Sequence, residues 1–274
     1  MTLIREPAVA GAFYPKHSGQ LESTVHALLQ AARGPVHAAD VQLPKAIIVP
    51  HAGYIYSGAT AARAYARLAV GRRLYRRVVM LGPAHRVPVR GLALPGVARF
   101  ATPLGEIALD QSAMASIRPL PQVVDCAPAH AQEHALEVQL PFLQVVLDAF
   151  TLVPLVVGDA SAAEVAQVME ILWGGPETLI VVSSDLSHFL PYAQAQLIDR
   201  TTTRQILDLR PSITHEQACG GTPVNGLLLA AQRHGLSPQL LDQCNSGDTA
   251  GDKQRVVGYA SFTFTEPEQQ HATH

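Results

Sequence analysis

Three strand-like apolar runs in this chain each lead into a histidine, and this pattern narrows the fold more than any other. Lys45-Ala46-Ile47-Ile48-Val49-Pro50 precedes His51. Val78-Val79-Met80-Leu81-Gly82-Pro83-Ala84 precedes His85. Leu179-Ile180-Val181-Val182-Ser183-Ser184-Asp185-Leu186-Ser187 precedes His188. Short continuous Val/Ile/Leu runs are the signature of strands buried on both faces, which belong in parallel sheets flanked by helices. In an open α/β sheet, ligands bind beyond the carboxyl ends of the strands. Three imidazoles carried to that edge are expected to converge on one site. Imidazole is the commonest protein metal ligand and the usual proton shuttle near neutrality.

Helix-periodic segments lie between these runs. Leu21, Val25, Leu28 and Leu29 mark a helix over 20–32, and the Ala-rich stretch 57–69 marks a second. Helices are also predicted over 133–150, with Pro141 giving a kink or a break, and over 162–173, 193–209 and 224–234. Further strands are expected at 91–94, 152–157 and 256–264. Strands alternating with helices indicate an α/β chain. We expect one three-layer α/β/α domain over residues 1–264 with a mostly parallel, mixed central sheet. A polar tail follows at 265–274.

Function classes narrow from composition. The chain has 274 residues, 48% hydrophobic and 15% charged, with a net charge of −2. It is long enough to bury a core and too neutral for the basic footprint that nucleic-acid binding needs. The most apolar long stretch, 140–158, is interrupted by Pro141, Gln144, Asp148 and Pro154, so no membrane span is expected. Three scattered cysteines, Cys126, Cys219 and Cys244, form no disulfide framework, and the opening residues carry no signal-type apolar region. The expected location is cytoplasmic.

Five segments carry candidate chemistry. Pro50-His51-Ala52-Gly53-Tyr54 and Gly82-Pro83-Ala84-His85 place His51 and His85 at equivalent points of one strand–helix–strand crossover, as though on neighbouring strand ends. Against this stands the plainer alternative of two hydrogen-bonded turn histidines. In Ser183-Ser184-Asp185-Leu186-Ser187-His188, a helical turn after the strand sets Asp185 beside His188, orienting it as a base or ligand. In Glu133-His134-Ala135-Leu136-Glu137, the two glutamates share a helix face and His134 is an acid or base beside the site, with capping an equal alternative. The polar segment 244–252 offers Cys244 or Asp248 as an anionic third ligand, although a surface turn explains it as well. Gly220-Gly221-Thr222-Pro223 reads as a turn opening a helix. Nucleotide-binding glycine loops and the Gly-x-Ser-x-Gly elbow are absent.

Taken together, these segments, with Arg5-Glu6-Pro7-Ala8-Val9-Ala10-Gly11-Ala12-Phe13-Tyr14-Pro15 and Ser246-Gly247-Asp248-Thr249 through Val256-Val257-Gly258-Tyr259-Ala260, resemble the Memo-like family, also called AmmeMemoRadiSam system protein B, along nearly the whole chain. That family is similar in fold to class III extradiol dioxygenases. The resemblance implies an α/β/α fold, a non-haem Fe(II) cofactor, with Zn or Cu as other metals such a site admits, and a pocket holding His51, His85, Asp185 and His188. In eukaryotic members a cysteine near the C-terminus joins two histidines on the metal, which suggests Cys244 here. Dioxygenases place a glutamate in the corresponding region, where Asp248 is the nearest acid.

The expected function is therefore a metal-binding oxidoreductase of dioxygenase type acting on a small molecule. The expected metal ligands are His51 and His85, completed by His188, Cys244 or Asp248. The expected catalytic residues are His188, Asp185 and His134. The family's bacterial neighbourhood implies a functional link to radical-SAM and AMMECR-type proteins. Two alternatives stay open: a non-catalytic pocket for a small anion or phosphopeptide, and a hydrolase that is metal-assisted or built on Ser183 or Ser184.

Overall fold

The structure, a computed structural model, describes residues 3–33 and 42–267. The first half contains β1 (Ile4–Arg5), α1 (Ser18–Ala32), β2 (Pro44–Val49), α2 (Tyr54–Leu68), β3 (Arg77–Pro83), β4 (Leu92–Leu94), β5 (Arg99–Thr102), β6 (Gly105–Ala108), α3 (Gln111–Ile117), β7 (Val123–Asp125) and α4 (Ala127–Ala131). The second half contains α5 (Leu140–Val146), β8 (Thr151–Val157), α6 (Ala162–Leu172), β9 (Thr178–Ser183), β10 (His188–Leu190), α7 (Tyr192–Leu207), α8 (Gly221–His234), β11 (Ser237–Asn245) and β12 (Val256–Thr265).

The four apolar runs form the parallel centre of the sheet, in the order β2-β9-β3-β8. Every residue of β2 and β9 is buried. Only such strands use side chains of one kind on both faces. β12 extends this centre antiparallel to β2, and β11 and β10 pair with β12 in turn. On the other side β4 runs antiparallel to β8 and β7 follows β4. The expected mixed α/β architecture is what the chain adopts, with parallel pairing in the centre of the large sheet. β1, β5 and β6 form a separate small sheet.

Handedness places the helices. The β2-α2-β3 connection steps over β9 in one direction, and β8-α6-β9 steps back over β3 in the other. Right-handed crossovers in opposite directions put their helices on opposite faces. α2 is backed by α1 and α5, and α6 packs with α8 and α3. A capping box between Ser161 and Glu164 opens α6. Because β2, β9 and β3 are parallel neighbours, their carboxyl ends open on one edge of the sheet. No helix among the described residues is long and apolar enough to cross a membrane.

Three local expectations need correcting. β2 and β3 are not adjacent, because β9 lies between them. Residues 133–150 are not one helix. An irregular stretch leads to a 3-10 turn at Glu137–Gln139 and then α5, with Pro141 in the first turn, where its missing N–H costs nothing. Glu133 and Glu137 therefore share no helix face. Residues 184–187 do not turn helical but continue to β10, whose pairing with β12 competes successfully for the backbone. The polar segment 244–252 is mostly a turn, as expected, while β11 ahead of it went unassigned because it is an edge strand with Pro238 inside it and no clean alternation of burial. The expected polar tail lies outside the described residues from 268 onward, and Thr265 still belongs to β12.

Candidate metal centre

His51 lies just past β2 and His85 just past β3. The third imidazole is His134, carried by the irregular stretch between α4 and α5. His51, His85 and His134 each offer a ring nitrogen, and these nitrogens all lie within 4.8 Å of one another. The rings are 5.2 Å (His51–His85), 5.3 Å (His51–His134) and 4.7 Å (His85–His134) apart, centre to centre. Gly82 makes this approach possible. A Cβ there would fall 2.9 Å from Leu136 and 3.2 Å from Ala135, so a side chain would push the His134 segment off the end of β3.

The neighbours determine which nitrogens are free. Ser183 has one hydroxyl proton, which it donates to the Ala135 carbonyl at 2.7 Å. It therefore accepts at 2.9 Å from the Nδ1–H of His51, which makes His51 Nε2 the lone-pair nitrogen; among the described residues its neighbour is the Cys219 thiol, whose proton a metal would displace. Glu133 Oε1 lies 2.9 Å from His85 Nδ1, and a carboxylate only accepts, so His85 keeps Nε2 open. Such outer hydrogen bonds fix the tautomer of a metal-binding histidine and raise its basicity. His134 Nδ1 is buried with no hydrogen-bond partner, although Glu133 Oε1 is 3.3 Å away. An orphaned buried nitrogen is a cost that a cation would remove.

The site is negative rather than positive. Burial, helped by the His85 charge, pushes His51 well below its ordinary value. Burial and then the His51 charge bring His134 down to about 4, so both imidazoles are neutral at pH 7. Burial pushes the Glu133 carboxyl up, but the His85 ring and the N–H groups of Ala135 and His85 outweigh it and hold the carboxyl at about 2. Glu133 also accepts from the His134 N–H at 2.8 Å. Asp185 is buried and accepts from the His51 N–H at 2.7 Å, while burial raises its carboxyl. Neutral imidazoles beside carboxylates suit a cation.

The remaining expected residues are spread out. His188 starts β10, and its ring is oriented by the Leu186 carbonyl at 2.8 Å rather than by Asp185. It is close enough for its charge to bear on His51 and Asp185. The structure thus brings His134 into the three-histidine group, where the sequence reading had put His188. The extended run 184–187 is what carries His188 away. Cys244 faces Thr60 Oγ1 at 3.2 Å. Asp248 caps its own turn by accepting from Asn245 N at 3.0 Å, and it takes the Tyr192 hydroxyl at 2.5 Å. The sulfur that meets the cluster is that of Cys219, 3.3 Å from His51 Nε2, just before α8. Burial and then the Asp185 charge push its thiol up to about 12. Gly220 admits this strand-to-helix approach, since a Cβ there would lie 2.7 Å from Ser184.

Comparison with known proteins identifies the family. The sequence matches the Memo-like protein family over residues 5–263. The chain belongs to this family. A MEMO1 family protein of Sulfurisphaera tokodaii is 34% identical over 96% of this chain and 99% of its own length. Those of Ignicoccus hospitalis and Aquifex aeolicus are 35% and 34% identical, covering 97% and 95% of this chain and 100% and 99% of their own.

In this Memo-like chain, sequence reasoning missed Cys219, Ser183 as the hydroxyl behind His51, and Glu133 as the carboxylate behind His85 and His134. The available signal for Cys219 was its place before the Gly220-Gly221 pair that opens α8.

Proposed function

We propose that this chain is a metal-dependent oxidoreductase in which His51, His85 and His134 hold a non-haem iron that serves chemistry on a small molecule. The observation that carries this reading is the triple convergence of ring nitrogens, two of them with their second nitrogen already tied to a hydroxyl or a carboxylate. Iron bound by imidazoles, with positions left open, supplies oxygen and electron chemistry. Zn or Cu fit the same donors.

The chain's own groups do the rest. Glu133 holds the His85 tautomer and balances the positive charge of a bound cation. Ser183 orients His51. His188 donates its Nδ1–H to Leu186, so its Nε2 is the lone pair that takes a proton from substrate. Cys219 is the sulfur placed to join His51 on the metal.

The anion pocket and the serine hydrolase fit less well. An anion or phosphopeptide would meet Glu133 and Asp185. A serine hydrolase needs a free hydroxyl, but Ser183 is committed to Ala135 and Ser184 donates to the Asp185 carbonyl.

The test is anaerobic reconstitution with Fe(II), with Co(II) as a spectroscopic substitute. One metal per chain is expected, lost in His51→Ala, His85→Ala and His134→Ala. A protein that takes up no metal, or keeps it in all three variants, rejects the proposal.

A further inference from the structure

Beside the histidine cluster lies a separate chamber of about 600 Å³, within the size range of small-ligand sites. It is bounded by the turn at residues 11–15, by α1 through Leu28 and by the start of α2 through Tyr54, Tyr56 and Ala59. None of its lining residues is charged. Two of its three tyrosines spend their hydroxyls elsewhere. Tyr14 donates to Glu137 Oε1 at 2.6 Å and Tyr54 to the Val138 carbonyl at 2.8 Å, so these two offer the chamber only carbon. Ile55, at the same helix start, is 71% exposed, an apolar side chain left at the rim.

Phe13 connects this chamber to the cluster. Its ring lines the chamber and also packs on His134, with ring centres 4.8 Å apart. Its carbonyl accepts from Tyr54 N at 2.8 Å, which fixes the wall against α2.

We propose that this chamber binds a neutral, largely apolar ligand, planar enough to lie among Phe13, Tyr54 and Tyr56, with Phe13 reporting its presence to His134. That this ligand is the metal centre's substrate rests on the function proposed above. A charged ligand finds no counter-ion among the described residues of these walls, and leaving its charge unpaired there is costly. A ring among aromatic side chains gains area burial together with stacking.

The test uses the full-length, metal-free protein with 2-naphthol as the probe and ¹³C-labelled histidine. The His134 ring signal is assigned by its loss in His134→Gln. Saturable binding that shifts this signal is expected. Ala59→Trp fills the chamber from a solvent-exposed helix position and is expected to weaken binding tenfold or more. Ile55→Ser, at the rim, is expected to weaken it about threefold. The anionic analogue 2-naphthoate is expected to bind at least tenfold more weakly than 2-naphthol. Absence of saturable binding, binding unchanged in both variants, equal binding of the anion, or binding that leaves His134 unmoved would each overturn the proposal. Because no metal is present, failure of iron to bind in the separate reconstitution rejects the oxidoreductase reading alone and leaves this result readable.

Discussion

Two glutamates four positions apart, Glu133 and Glu137, are both buried, at 2% and 0% exposure, yet they do opposite work. Glu137 is saturated. It pairs with Arg5 at 2.5 Å and accepts from Ala8 N, Val9 N and the Tyr14 hydroxyl at 2.8, 3.0 and 2.6 Å. Arg5 spends its other donors on the carbonyls of His130 and Glu133, at 3.0 and 2.6 Å. Charge there is cancelled, and what remains is a strap holding the N-terminal segment to the stretch that carries His134. Glu133 has no such cation. Its partners are backbone N–H groups and the rings of His85 and His134, so its negative charge stays available to the site. Equal burial therefore separates into structure or chemistry according to whether the counter-charge is built into the chain.

The most severe way to break this contrast is to unbalance the strap. Removing one partner of a buried ion pair leaves a bare charge, at about 3–5 kcal/mol. Glu137→Gln and Arg5→Met are each expected to lose stability on that scale in urea unfolding. The Arg5→Met/Glu137→Gln double variant should lose less than the two single losses combined, because no lone charge remains. A fully additive double variant would show that the pair does not act as a unit.

Acid is the next probe. On the Glu133 side, His134 has its pKa at about 4 in the folded chain and near 6.5 when unfolded. Between these values the unfolded chain binds more protons, so stability rises with pH there and is lost as pH falls from about 6.5 to about 4. The loss amounts to about 3 kcal/mol for His134. His130, also brought to about 4, chiefly by burial, adds to the same window. Glu133 works lower, since its contribution is present above its unfolded value and is lost as pH falls toward about 2. Unfolding of metal-free protein followed across pH should show this slope, flattened in His134→Gln. An unflattened slope would place the titration elsewhere.

How much of this could be read from the sequence depends on how locally each contact is made. The runs of β2, β3, β8 and β9 are legible because a strand buried on both faces has to be apolar throughout. His51 and His85 are legible because each follows its strand directly. His134 is visible as a residue but not as a member of the group. Its segment has no periodic pattern and is positioned by Arg5 from the other end of the chain. Cys219 is invisible for a similar reason: it reaches His51 only because α8 packs back over β9, with Gly220 against Ser184. β11 escaped because an edge strand with half-buried side chains shows no alternation.

A milder probe leaves the fold intact and alters only the free charge. Glu133→Gln keeps the shape and can still face His85, but it removes the carboxylate behind two imidazoles. Loss of such an outer partner lowers metal affinity by about 10–100-fold. Co(II) titration should show that drop, whereas a conservative change in the strap, Tyr14→Phe, should leave affinity within about threefold. If both variants weaken the metal equally, the division between strap and site fails.

The smallest effect is the most discriminating for the sulfur. Cys244 lies against Thr60 Oγ1, and its replacement by Ser keeps a hydroxyl there, so stability should move by no more than about 0.5 kcal/mol and Co(II) binding should not change. Cys219→Ser should instead abolish thiolate-to-Co(II) absorption and reduce the proton released on binding, because a thiol held at about 12 gives up its proton only to a metal. Thiolate absorption that survives Cys219→Ser and disappears in Cys244→Ser would require β11 to rearrange toward His51. That would restore the third ligand expected from the C-terminal segment and contradict the geometry around α8.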